Sequence, residues 1–295
     1  MTAPPRLTPA QIVALGPLGS VSPELRRALS GAGFEPMPQP AEGDWLACHP
    51  ERGQKYAEFV AEKPLVPDET RRTLALLPLG VPARPGIPRP GLLRDALEAF
   101  YALPARLLPR VPLAEVGMRT RINPHTGKVQ LYTPHILAFL KQRLPPDVFA
   151  LAAITGEDLY PDESWNFVFG IATPRHRVGV FSFARYDPAF DDEPFHPGDE
   201  KLVLRRMIKV LVHEVGHMFG LRHCIYFSCL MNGSNHIEEA DARPQHVCPV
   251  CLRKLQHAIG FDVIRRYEAL ERFYEGAGLD DEAAWVAERL GEIRA

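Results

Sequence analysis

The chain has 295 residues, enough to bury a full core as one large domain or as a main domain with appendages. Hydrophobic residues make up 46% and charged residues 24%, and the formal net charge of −2 gives no overall basic field to attract nucleic acid or anionic lipid. No stretch approaches the length of a membrane span and no cationic patch with a sufficient apolar run opens the chain, so a cytoplasmic location is expected.

Residues 1–70 read as a weakly patterned leader with short helices at Pro23–Leu29 and Gln54–Ala61. Its one metal-capable pair, Cys48-His49, has no companions nearby in sequence and is left out of the site. Thr73 to Gly80 reads as a buried strand stopped by glycine, and a proline-rich connector runs from Val81 to Pro90. A helical period follows in Leu92, Leu93, Ala96, Leu97 and Phe100. Leu107 to Val116 reads as extended, with prolines that suit an edge. A turn at Asn123–Gly127 leads to a short strand at Val129–Tyr132, and a helix from Pro134 to Leu144 begins on proline. Val148–Thr155 has the apolar run of a central strand, and Phe167–Ala172 and Val178–Ala184 form a hairpin pattern. Asp191-Asp192-Glu193 reads as a solvated loop.

Asp199 is the expected N-cap of a helix running to Phe219, with Leu202, Met207, Val210 and Leu211 as its buried stripe. Helical patterns return at Leu252–Ile259, Val263–Phe273 and Glu282–Ile293. The expected division is a leader (1–70), an upper region of mixed sheet and site helix (71–220), and a lower, mostly helical region (221–295).

The most informative stretch is His213 to His223, which reads HExxHxxGxxH. Histidines four apart on a helix project from one face, so His213 and His217 can reach one metal ion. Gly220 lets the backbone leave the helix so that His223 can swing round as a third ligand. Three protein ligands leave a fourth position for water, and Glu214 stands beside it as a general base. Cys224, Cys229, Cys248 and Cys251 then form a C-x4-C…C-x2-C set, suited to a closed, structural zinc. A redox Cys248–Cys251 couple and two disulfides are the rival readings of the same spacing. A nucleic-acid zinc ribbon is disfavoured because the segment carries Glu238, Glu239 and Asp241 where a basic stripe is needed.

With Cys224 fused to the third histidine, then Cys229, Leu230-Met231 and CxxC, the chain resembles the archaemetzincins, zinc peptidases of the metzincin clan. It is most similar to the longer, animal-type members, and His49-Pro50-Glu51-Arg52-Gly53 fits that subgroup. The resemblance covers most of residues 45–270 and is most specific in 213–251. It implies an α+β fold: a small, mixed, twisted sheet with an active-site helix, then a lower helical subdomain holding the structural zinc and a Met-turn at Met231. It also implies a zinc-dependent peptidase acting on peptide or protein substrates, with two zinc ions per chain and an extended substrate along an edge strand, placed at Phe167–Ile171. No nucleic acid or membrane partner is expected, and the chain should be a monomer. The alternative is a zinc-stabilised peptide- or protein-binding protein with little turnover; an intact Glu214 favours catalysis.

Overall fold

A computed structural model describes residues 7–80 and 86–295. Half of the expected proline-rich connector, residues 81–85, and the first six residues lie outside the described part. In chain order the structure runs through helices α1 (Pro9–Leu15), α2 (Pro23–Ala28), α3 (Trp45–Cys48) and α4 (Tyr56–Ala61), then strand β1 (Thr73–Leu79), α5 (Pro90–Tyr101), β2 (Ala105–Leu107), β3 (Thr120–Ile122) and β4 (Val129–Tyr132). Helix α6 (Thr133–Arg143) precedes β5 (Val148–Thr155), β6 (Asp158–Tyr160), β7 (Gly170–Thr173), β8 (Val178–Ser182) and the long α7 (Asp199–Met218). The remainder is helical: α8 (Ile237–Ala242), α9 (Pro249–Ile259), α10 (Val263–Gly276) and α11 (Asp280–Arg294).

Two compact units result, Pro67–Met218 and the described residues up to Val66 together with Phe219–Ala295. The described N-terminal residues and Phe219–Ala295 share one unit.

The unit Pro67–Met218 is α+β, its short apolar runs forming strands and its helical periods forming α5, α6 and α7. Its five-stranded sheet has the order β2-β1-β5-β8-β7. The first four strands are parallel, and β7 closes one edge antiparallel to β8, with Gly170 opposite Phe181 and Thr173 opposite Val178. Strand β5 is buried along its whole length, which is why it reads as a continuous apolar run rather than an alternation. The hairpin joint is tight: a 3-10 turn at Pro174–His176 ends in Arg177, left-handed at φ 57°. A second, three-stranded sheet, β3-β4-β6, was not legible as such, because β3 and β6 are three residues each. It is pinned by a buried polar pair: Gln130 Nε2 donates to Asp158 Oδ2 at 2.8 Å, and Arg185 grips both Asp158 oxygens at 2.9 and 2.8 Å. The expected extended segment 107–116 is only briefly strand, and becomes a 3-10 turn at Leu113–Glu115.

Helix α7 packs on β7 and β8 and on α5. Tyr101 at the end of α5 donates its hydroxyl to Val212 O at 2.5 Å, one residue before His213, and so ties down the helix turn that carries the motif. Two expectations about α7 are corrected. Asp199 is the first helical residue rather than the cap, and its carboxylate instead accepts from His196 N at 2.6 Å. Met207, Val210 and Leu211 are buried as expected, but Leu202 is 39% exposed and Val203 takes its place. Five residues at 100° each put 202 about 140° away from 207, whereas four bring 203 back to the same face.

In the other unit, α1 and α4 pack on α9, and α2 packs on α10 and α11. Buried cations on the C-terminal helices end on carbonyls of the N-terminal segment. Arg253 donates to Leu15 O and Pro17 O, Lys254 to Gln54 O, and Arg289 to Ala28 O and Ala32 O. Leu15 and Ala28 are helix C-terminal residues whose carbonyls have no helical partner, so a guanidinium there meets both the hydrogen-bond and the dipole demand. The N-terminal segment is therefore an integral part of this unit. Among the described residues no helix is long and apolar enough to cross a membrane.

Candidate metal centres

His213, Glu214 and His217 lie on the last buried turns of α7. The spacing does what helix geometry demands: the two imidazoles stand at 86° with centroids 4.6 Å apart, and their Nε2 atoms approach to 3.0 Å. Two nitrogens on a tetrahedral zinc, each at about 2.0–2.1 Å, lie roughly 3.3 Å apart, so the pair fits a shared ion. Glu214, only 8% exposed, projects beside them from the same turn. It is met by the edge strand β7. A Cβ on Gly170 would sit 2.8 Å from Glu214 Cγ and 3.0 Å from Oε1, so only glycine lets strand and carboxylate approach this closely.

Past the helix, Gly220 takes φ 84°, a left-handed conformation in which a side chain would also meet Pro64 at 2.9 Å. Gln54, buried in the N-terminal segment, holds this turn. Its Nε2 donates to Gly220 O at 3.2 Å and its Oε1 accepts from Arg222 N at 3.2 Å. His223 follows, and its Nδ1 lies 2.9 Å from Glu51 Oε1. Residues 213–223 thus carry a group of three histidines, each able to offer one ligand nitrogen to a metal ion.

Cys224, Cys229, Cys248 and Cys251 are brought together and buried, with their sulfurs all within 4.8 Å of one another. Cys224 and Cys248 Sγ are 3.6 Å apart, against about 3.8 Å expected between sulfurs on a tetrahedral zinc with bonds near 2.3 Å. All are free thiols in the structure. Donation from the neighbouring thiols pulls Cys224 well below the ordinary thiol value, while burial pushes Cys229 and Cys248 well above theirs. Four buried sulfurs gathered within reach of one point form a donor set that a divalent cation would complete. Backbone groups already face them: Cys248 N and Met231 N donate to Cys229 Sγ at 3.2 and 3.4 Å.

Met231 is buried in a turn, and its carbonyl accepts from Cys224 N at 2.8 Å, which ties the turn to the residue after His223. The side chain that locks this loop is Asn232, which the sequence reading did not single out. Its Oδ1 accepts from Cys229 N at 2.7 Å, and its Nδ2 donates to Cys224 O and Phe227 O at 2.7 and 3.0 Å. The Asn-Gly pair at 232–233 signals a turn, but nothing local shows that the amide reaches back eight residues.

Glu51, Trp45 and Gln54 were likewise not expected at the site. Among other candidates, Cys48 is exposed and His49 packs on Trp45 with centroids 4.3 Å apart. Asp192 of the acidic loop pairs with Lys128 at 3.0 Å.

Compared with known proteins, residues 141–257 match the model of Peptidase family M54. Archaemetzincin-2 of Mus musculus is 38% identical over 278 residues, covering 85% of this chain and 77% of that protein. Archaemetzincin-1 of Homo sapiens is 33% identical over 276 residues, which are 84% of this chain but 55% of that longer protein. The crystal structure of archaemetzincin from Methanopyrus kandleri superposes with a TM-score of 0.51 at 27% identity, covering 66% of this chain and 98% of that one.

Proposed function

The chain belongs to the archaemetzincin family of zinc metallopeptidases, and on that footing we propose that it hydrolyses peptide bonds at a zinc ion held by His213, His217 and His223, with Glu214 as the general base. The observation that carries this reading is the His213–His217 pair, with Nε2 atoms 3.0 Å apart and a buried carboxylate on the same helical turn. A pure binding site has no evident need for that carboxylate. The bound zinc would supply Lewis acidity and lower the pKa of a water toward neutrality.

The chain's own residues do the rest. Glu214 takes the proton from the attacking water and returns it to the departing amine nitrogen. Gly170 leaves room for Glu214 to stand against β7. The outer edge of β7 offers backbone groups to an extended peptide, a mode that supplies affinity with little sequence choice. The regular strand spans Gly170–Thr173 and shares Gly170 and Ile171 with the edge expected at Phe167–Ile171. Cys224, Cys229, Cys248 and Cys251 would hold a second, structural zinc, with four thiolates leaving no position for water.

Elemental analysis together with a peptide-library digest tests both assignments. Two zincs per chain and chelator-sensitive cleavage are expected. Glu214→Ala should keep both metals and lose about 10²–10⁴-fold in activity; wild-type cleavage by that variant removes Glu214 from the mechanism. His217→Ala should lose one zinc and keep the cysteine-bound one. Tight peptide binding without cleavage by the wild-type chain would favour the binding-protein alternative.

A further inference from the structure

We propose that Glu51, held in place by Trp45, is a positioning residue for His223, so that the N-terminal segment builds part of the metal centre. The inference rests on the assignment of His223 as a zinc ligand. A neutral imidazole has a single N–H, and whichever nitrogen carries it cannot bind metal. His223 Nδ1–H donates to Glu51 Oε1 at 2.9 Å, which fixes the tautomer, holds the ring and leaves Nε2 as the basic nitrogen offered to a metal ion.

The carboxylate is itself held. Trp45 Nε1 donates to the same Glu51 oxygen at 2.8 Å, and its ring meets His223 edge-on at 5.0 Å. Trp45 is fixed in turn by its backbone N–H, which donates to both oxygens of Glu239 at 2.9 and 3.1 Å. The indole lies over Gly233, where a Cβ would come within 2.3 Å of it. An exposed ion pair of this kind would contribute little. Here the side chains of His223 and Glu51 are 18% and 27% exposed, and the shared acceptor aligns a ring as well as a charge. Gln54 grips Gly220 and Arg222 from the same segment, so the approach of the backbone to His223 is also set from residues 45–54.

The test uses the full zinc-loaded chain and the variants Glu51→Ala, Glu51→Gln and Trp45→Phe. Zinc per chain and zinc affinity are read by chelator competition, the cysteine site by cobalt–thiolate absorbance, and the His223 tautomer by nitrogen-15 NMR of the metal-depleted chain. Glu51→Ala is expected to weaken one zinc by about 10–100-fold while the cysteine signal is unchanged. Its His223 should lose the fixed Nδ1–H form. Glu51→Gln, whose amide oxygen still accepts from Nδ1–H, should recover most of the affinity, which mere loss of charge would not allow.

Wild-type zinc affinity in Glu51→Ala, or an unchanged His223 tautomer, overturns the proposal. Should Glu51→Ala lose both metals, Trp45→Phe decides: a selectively weakened histidine-bound zinc supports the proposal and an unchanged one overturns it. Failure of the underlying assignment reads differently, since His223→Ala would then retain every zinc that the wild type binds.

Discussion

His213, Glu214 and His217 share one regular helix, whereas Cys224 and Cys229 come from a loop and turn and Cys248 and Cys251 from the start of α9, and the two pairs meet across 19 residues through Cys248 N–H on Cys229 Sγ. In the first case 100° per residue aligns the donors before any tertiary contact forms, and packing needs only to hold the helix in place. In the second, 19 residues separate Cys229 from Cys248, and nothing local brings their sulfurs together. With the metals assigned as proposed, the helical donors should survive metal loss as a folded unit, and the loop-borne set should depend on its metal for the fold itself.

The sharpest way to break this contrast is Cys251→Ser. Structural zinc in small domains is worth on the order of 10 kcal/mol, so losing a ligand should unfold the unit built from the N-terminal segment and residues 219–295. Limited proteolysis should then degrade that unit and spare residues 67–218; equal resistance would show that the cysteine metal does not carry the fold. Asn232→Ala should act in the same direction with less force. It strands Cys229 N–H and two carbonyls in a buried loop, at about 1–3 kcal/mol for each group left unsatisfied, read as a lowered denaturation midpoint and weaker retention of the cysteine metal. A near-neutral result would mean that the metal alone shapes the loop.

On the helical side the smallest effect is expected. Gly170→Ala places a methyl group against Glu214 at a cost of about 1–3 kcal/mol for overpacking, or for moving the carboxylate. Its signature is reduced turnover with both zincs retained, whereas loss of the histidine-bound zinc would show that β7 supports the ligands rather than the base.

Legibility followed the same division. Helix α7, the continuous apolar β5, the β7–β8 hairpin and the C-terminal helices were readable because each has a strong period or a clear punctuation. Strands β3 and β6, three residues each, and the four-residue α3 carry too few residues for a period to show. Leu202 was misplaced by one residue on the helix wheel, which was enough to exchange buried for exposed. At the site, the ligand-type residues were legible from spacing. Their supports were not, since Glu51 lies 172 positions before His223, and Trp45 lies 194 before Glu239.

The sequence by itself determined which side chains could hold metal and which family the motifs resemble, because ligand identity and spacing are written into residues 213–251, the histidine set within eleven consecutive residues and the cysteines as two close pairs. Only the tertiary structure decided that Asn232 locks the cysteine loop, that Gly170 makes room for Glu214, and that the N-terminal segment is built into the unit that carries His223. The reason is physical. Hydrogen bonds and close approaches between distant segments depend on where the chain returns in space, and neither period nor spacing encodes that return.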